Sequence, residues 1–90
     1  MPTVFVLHRV RDYETWRTVY DSVDDLRAQS GVTAHRVLRA ESDPDNVLVE
    51  HSFRSLEEAH AYFENPVVLD AVREAGVVEG TTRLEFYEEA

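Results

Sequence analysis

The hydrophobic positions along this chain switch between a period of two and a period of three to four, and the switches mark its elements. Residues 3 to 10, Thr-Val-Phe-Val-Leu-His-Arg-Val, are β-branched and aromatic, with Phe5 and Leu7 on one face and Val4, Val6 and Val10 on the other. Apolar groups on both faces predict a central strand covered on two sides. Asp12 is then placed to cap a helix whose apolar stripe runs through Tyr13, Trp16, Val19/Tyr20, Val23 and Leu26/Arg27, until Gly31 offers a left-handed stop. That spacing predicts one continuous helix of about 17 residues. Val32 to Glu41 has strand character again, and the turn formers Ser42-Asp43-Pro44-Asp45-Asn46 predict a hairpin into a third strand, Val47 to Phe53.

Ser55 with Glu58 three residues later forms a capping box, and Leu56, Ala59, His60 and Phe63 supply the stripe of a second helix. Asn65-Pro66 interrupts it. Because proline is favoured in a first helical turn, the helix is expected to restart over Val67 to Ala75, with Val68, Leu69 and Val72 inward and Gly76 at its end. Thr81 to Glu88 alternates as a last strand, with Leu84 and Phe86 on one face and Arg83, Glu85 and Tyr87 on the other.

This order predicts a single α+β domain over residues 1–90: a ferredoxin-like βαββαβ fold, a four-stranded antiparallel sheet with the helices on one face. Strands one and three are expected to be parallel neighbours. The second face of the sheet is left apolar and bare, and pairing it with another copy across a two-fold axis predicts a homodimer.

Composition strengthens that expectation. A 90-residue chain buries only about 60–65% of the surface its unfolded form exposes. There is no cysteine to staple it or to bind zinc as thiolate, so association is the remaining support. The formal charge of -9 makes nucleic acid and anionic membrane surfaces poor partners. No apolar run approaches the roughly 18 residues of a membrane span, and the start lacks secretory signal features, so a cytoplasmic location is expected.

The candidate chemistry is that of imidazole in an apolar setting. No serine lies in G-x-S-x-G and no glycine-rich phosphate loop is present, which leaves no signature of nucleophilic or nucleotide chemistry. No two histidines fall at the spacing that begins a metal site, and Glu57-x-x-His60 stands alone without the partners of a diiron motif, so neither metal nor cofactor is expected. His51 and His8 each sit in an apolar strand, His51 sharing its face with Val47, Val49 and Phe53. In a dry cavity, either is a natural proton acceptor for an acidic phenol or an activated methylene. Trp16, Tyr13, Tyr20, Phe53, Tyr62, Phe63 and Tyr87 form an aromatic set that could stack on a flat ligand; core packing is the competing role, above all for Trp16 and Phe63. Glu50, in mid-strand, needs a partner, and Arg36 across the hairpin is the one in reach.

Several segments resemble a known family. Val6 to Trp16 reads V-x-H-x-V-x-D-Y-x-x-W, and the hairpin Arg39-Ala40-Glu41-Ser42-Asp43-Pro44-Asp45 follows, with His51-Ser52-Phe53-Arg54-Ser55, Glu64-Asn65-Pro66 and Ala75-Gly76-Val77 beyond it. Together they resemble the dimeric α/β-barrel superfamily, and within it the antibiotic biosynthesis monooxygenases and their small cyclase-like relatives. The resemblance implies a dimer with facing sheets and a cavity for a small apolar or aromatic molecule in each subunit. It also implies cofactor-independent oxygenation or cyclisation of an aromatic or polyketide-like substrate. Phe53 stands where the monooxygenases usually carry a tryptophan, Tyr62 where they carry a helix histidine, and Val67 where a histidine often follows the proline. Those departures keep a second reading open, a non-catalytic ligand-binding or accessory dimer.

Overall fold

In the computed structural model, which describes residues 1–90, the elements follow in the order β1 (Thr3–Arg9), α1 (Tyr13–Ser22), α2 (Asp24–Gln29), β2 (Val32–Arg39), β3 (Asn46–Phe53), α3 (Leu56–Glu64), α4 (Pro66–Glu74) and β4 (Arg83–Tyr87). The strands form one sheet in the order β2-β3-β1-β4, every pair antiparallel. This is the ferredoxin-like arrangement, with the helices on one face. β1 and β3 are therefore antiparallel neighbours, and the parallel pairing expected from the sequence is wrong. The crossover through α1 and α2 brings β2 back in the direction of β1, and the tight hairpin reverses the chain once more before β3.

The long first helix is also two helices. Asp12 caps α1 as expected, its carboxylate accepting from the Thr15 amide at 3.0 Å. The helix breaks at Val23, whose φ of -107° and ψ of 21° leave the helical region. Asp24 and Asp25 then occupy the first turn of α2, where acidic side chains complement the dipole of a new N-terminus. The second break is the expected one: Asn65 ends α3, and its side chain accepts from the Val67 amide at 2.9 Å to start α4 behind Pro66.

The core lies between the helices and one sheet face. Val4, Val6, Val10, Val47, Val49 and Phe53 project from the strands onto Trp16, Tyr20, Ala59, Tyr62, Val68 and Ala75 of the helical layer. The opposite face carries Phe5, Leu7, Leu38, Leu48 and Tyr87 with no covering layer, and Leu38 and Tyr87 are 39% and 53% exposed. Arg36 and Glu50 pair on this face across β2 and β3, as the sequence predicts.

Gly31, between α2 and β2, has φ +95°. A Cβ there would lie 2.6 Å from the Glu58 carboxylate, which is itself engaged by Arg54 and by Ser55 in the capping box of α3. Gly31→Ala therefore combines left-handed backbone strain with disturbance of that cap. Urea unfolding should show a loss of about 1–2 kcal/mol.

A candidate ligand cavity between sheet and helices

The two helix breaks leave the layer above the sheet incompletely filled. The space that results is a cavity of about 70 Å3 that opens to the surface through a mouth. Val6 and His8 from β1 and Val49 and His51 from β3 form its floor; Trp16, Val19, Tyr20 and Val23 from α1, Arg27 from α2, Tyr62 and Phe63 from α3, and Val68, Ala71, Val72 and Ala75 around α4 form its walls. The lining is almost wholly apolar.

His8 and His51 share this cavity without facing each other. In the antiparallel register Val4 pairs with His51 and His8 with Val47, so the imidazoles stand at opposite ends of the floor. They are 5% and 4% exposed. Both ring nitrogens of His8 and Nδ1 of His51 are buried with no protein hydrogen-bond partner. His8 lies against the Trp16 indole, 5.7 Å between centroids, and His51 is enclosed by Tyr62 at 5.8 Å and Phe63 at 5.4 Å. Burial drives the His8 pKa down to about 4. For His51 burial, reinforced by the charge of Arg27 and the proximity of His35, drives it to about 3. Both are neutral imidazoles at neutral pH, with lone pairs or N–H groups free for a ligand.

Of the aromatic candidates, Trp16, Tyr20, Tyr62 and Phe63 line the cavity. Trp16 stacks on Tyr20 at 4.9 Å and is both core and wall. The other three do not reach it. Phe53 is fully buried behind the wall, packed on Tyr62 and Phe63, and gives the cavity its shape. Tyr13 stacks on Trp16 from outside, with the Arg39 guanidinium 3.7 Å above its ring. Tyr87 points to the opposite face, edge-to-face with Phe5, because it pairs with Thr3 while its neighbour Phe86 pairs with Val4.

Two polar residues given no role by the sequence, Arg27 and His35, meet Tyr20 at the site. Arg27 lies on the stripe Trp16, Tyr20, Val23, Arg27, and a cation at an apolar position was the available signal. Its side chain is 2% exposed. Its guanidinium sits 3.7 Å over the Tyr20 ring and reaches Asp24 at 3.3 Å, while Nε has no partner. The Tyr20 hydroxyl and His35 Nδ1 are 2.6 Å apart, and His35 Nε2 lies 3.4 Å from the same Asp24. With Nε2 carrying the proton toward Asp24, Nδ1 accepts from Tyr20. Burial pushes the Tyr20 phenol up to about 12 and raises that of Tyr62, so both stay protonated at neutral pH.

The depressed histidine pKa values have a consequence for stability. Above pH 6.5 both histidines are neutral whether the chain is folded or not, so stability is at its full value there. As pH falls from 6.5 toward 4, the unfolded chain takes up protons that the folded chain refuses, so stability drops. The combined loss is on the order of a few kcal/mol. Chemical denaturation across pH 4–7 should show this slope, and it should flatten in His51→Phe.

No family model and no curated protein sequence matches the chain. Its fold does match solved structures over nearly the whole of both chains. SnoaB, a cofactor-independent oxygenase from Streptomyces nogalater, aligns with a TM-score of 0.78 and 12% identity over 99% of this chain and 91% of that one. A Deinococcus radiodurans protein assigned as an antibiotic biosynthesis monooxygenase aligns at 0.75 and 18% over 100% and 93%. A conserved protein from Methanosarcina mazei aligns at 0.81 and 9% over 99% and 92%. The chain thus shares its ferredoxin-like fold with proteins of the antibiotic biosynthesis monooxygenase type.

Proposed function

We propose that the cavity binds a small aromatic or polyketide-like molecule and that His51 abstracts a proton from it, without a cofactor, in an oxygenation or a cyclisation. The observation that carries this reading is the pair of neutral, unpartnered imidazoles buried in an otherwise apolar cavity. A buried polar group without a partner is costly, so such groups concentrate where a ligand completes them. Bearing on the same reading, SnoaB, which has this fold, is a cofactor-independent oxygenase.

In the oxygenase form, a ring nitrogen of His51 takes a proton from an activated methylene or phenol. The resulting anion passes one electron to O2, the two radicals couple at carbon, the peroxide anion takes the proton back from the His51 imidazolium, and the hydroperoxide loses water to leave a carbonyl. In the cyclase form, the same proton transfer gives an enolate that attacks a carbonyl held nearby by Trp16, Tyr62 and Phe63. Oxygen uptake and product formation should be followed with anthrone-like and phenolic compounds. We expect turnover by the native chain and a loss of about 100-fold or more in His51→Ala, with binding retained. Unchanged rates in His51→Ala and His8→Ala would sink the proton-transfer scheme.

One observation favours binding without turnover. A base whose pKa is held near 3 is poorly matched to neutral conditions, and no carboxylate orients the His51 ring. Ligand binding with no oxygen uptake and no cyclised product would support that reading.

The uncovered sheet face supports a homodimer. Phe5, Leu7, Leu38, Leu48 and Tyr87 give it an apolar centre, and the Arg36–Glu50 pair can re-form across a two-fold axis. Sedimentation at micromolar concentration should find dimers, and Leu38→Glu, at an exposed position, should release monomers without unfolding them. Monodisperse native monomers would end the proposal.

A further inference from the structure

The cavity contains one charge that the proton-transfer scheme does not use. Arg27 enters from α2 with its side chain almost fully buried, yet the only carboxylate it reaches is Asp24, 3.3 Å away and 65% exposed. That carboxylate is shared with His35 Nε2 at 3.4 Å, and Nε of Arg27 has no partner at all. The other titratable side chains of the lining are His8, Tyr20, His51 and Tyr62; burial keeps the histidines unprotonated and the phenols protonated, so none supplies a negative charge.

We infer that Arg27 is the anion-recognising residue of this cavity, and that the ligand is a flat aromatic molecule held through an ionised oxygen, a carboxylate or a delocalised phenolate or enolate. The inference rests on the cavity being a ligand site. A guanidinium is the side chain best matched to such an oxyanion, because its N–H groups lie in one plane and pair in parallel with a delocalised charge. Placed in an apolar slot, it binds the charge with little competition from water. The alternative, that Arg27 only packs on Tyr20, leaves the cost of its burial unmet: a cation–π contact, the neutral Tyr62 phenol and one half-solvated carboxylate are weaker than the hydration the guanidinium gives up.

Arg27 also connects to the chemistry of His51. An anion formed by proton transfer to His51 would lie between the new imidazolium and the guanidinium, so the site stabilises the charge-separated product rather than the neutral ligand. Arg27 thereby fixes which end of the ligand carries the acidic oxygen.

The chain's single tryptophan, Trp16, lines the cavity and reports occupancy by its fluorescence. The probes are 1-naphthoate and its neutral isostere 1-naphthamide, titrated at neutral pH and fixed ionic strength into the native chain and into Arg27→Met. We expect the native chain to bind the carboxylate about tenfold tighter or better. In Arg27→Met that preference should vanish, with amide affinity within about twofold of native and the thermal midpoint equal or higher, since a lone buried cation is removed. A midpoint that drops while the carboxylate preference survives overturns the inference and makes Arg27 structural. Should Arg27→Met fail to fold, the native ratio decides by itself. Equal binding of both probes overturns this inference alone, leaving the ligand cavity standing; binding of neither removes the cavity reading and the inference with it.

Discussion

Desolvation in the slot between sheet and helices is the condition on which the rest of the site depends. The slot is walled by valine, alanine and aromatic rings, so every polar group inside it must be neutral, paired or awaiting a partner. His8 and His51 meet the condition by staying unprotonated, Tyr20 and Tyr62 by holding their protons. Arg27 has no such recourse, because a guanidinium does not deprotonate in a protein. One environment thus produces neutral bases at the floor and an isolated cation at the wall.

The backbone creates the slot by interrupting its own helices. The break at Val23 ends α1 and starts α2 with Asp24 and Asp25 in its first turn, while Arg27, on the same stripe as Trp16 and Tyr20, stays inward. Asn65-Pro66 does the same on the other side, so that Val68, Val72 and the small residues Ala71 and Ala75 roof the space instead of filling it. Close packing is the rule in protein interiors, and departures from it are few and placed.

Strand order, the hairpin, the second helix break and the bare sheet face were legible in the sequence because each rests on a local rule: alternation, turn formers, Asn-Pro, apolar residues on both sides of β1. The break at Val23 was not legible, since its apolar spacing continues through the site and only Asp24-Asp25 hints at a new N-terminus. Within the site, His8 and His51 stood out as polar residues in apolar strands, and Trp16, Tyr62 and Phe63 as rings on helix stripes. Tyr87 was misplaced because alternation says which residues share a face but not which face the helices cover. Phe53 shares the cavity side yet lies one layer behind it, a distinction of depth that no periodicity carries. His35 and Asp24 meet through tertiary packing alone, from β2 and α2.

A formal charge of -9 works against an anionic ligand at long range, yet that field is screened by salt within roughly 8–10 Å. At contact the local arrangement decides: in a low-dielectric slot one guanidinium outweighs carboxylates dispersed in water. Asp24 is the exception, being close enough to matter. It holds Arg27 and His35 together from the solvent side, and His35 in turn holds the Tyr20 hydroxyl. A ligand oxyanion arriving from the cavity would draw Arg27 away from Asp24 and leave that carboxylate to His35. Occupancy of the apolar slot and the state of this polar chain would therefore be coupled through a single side chain, Arg27, which touches both.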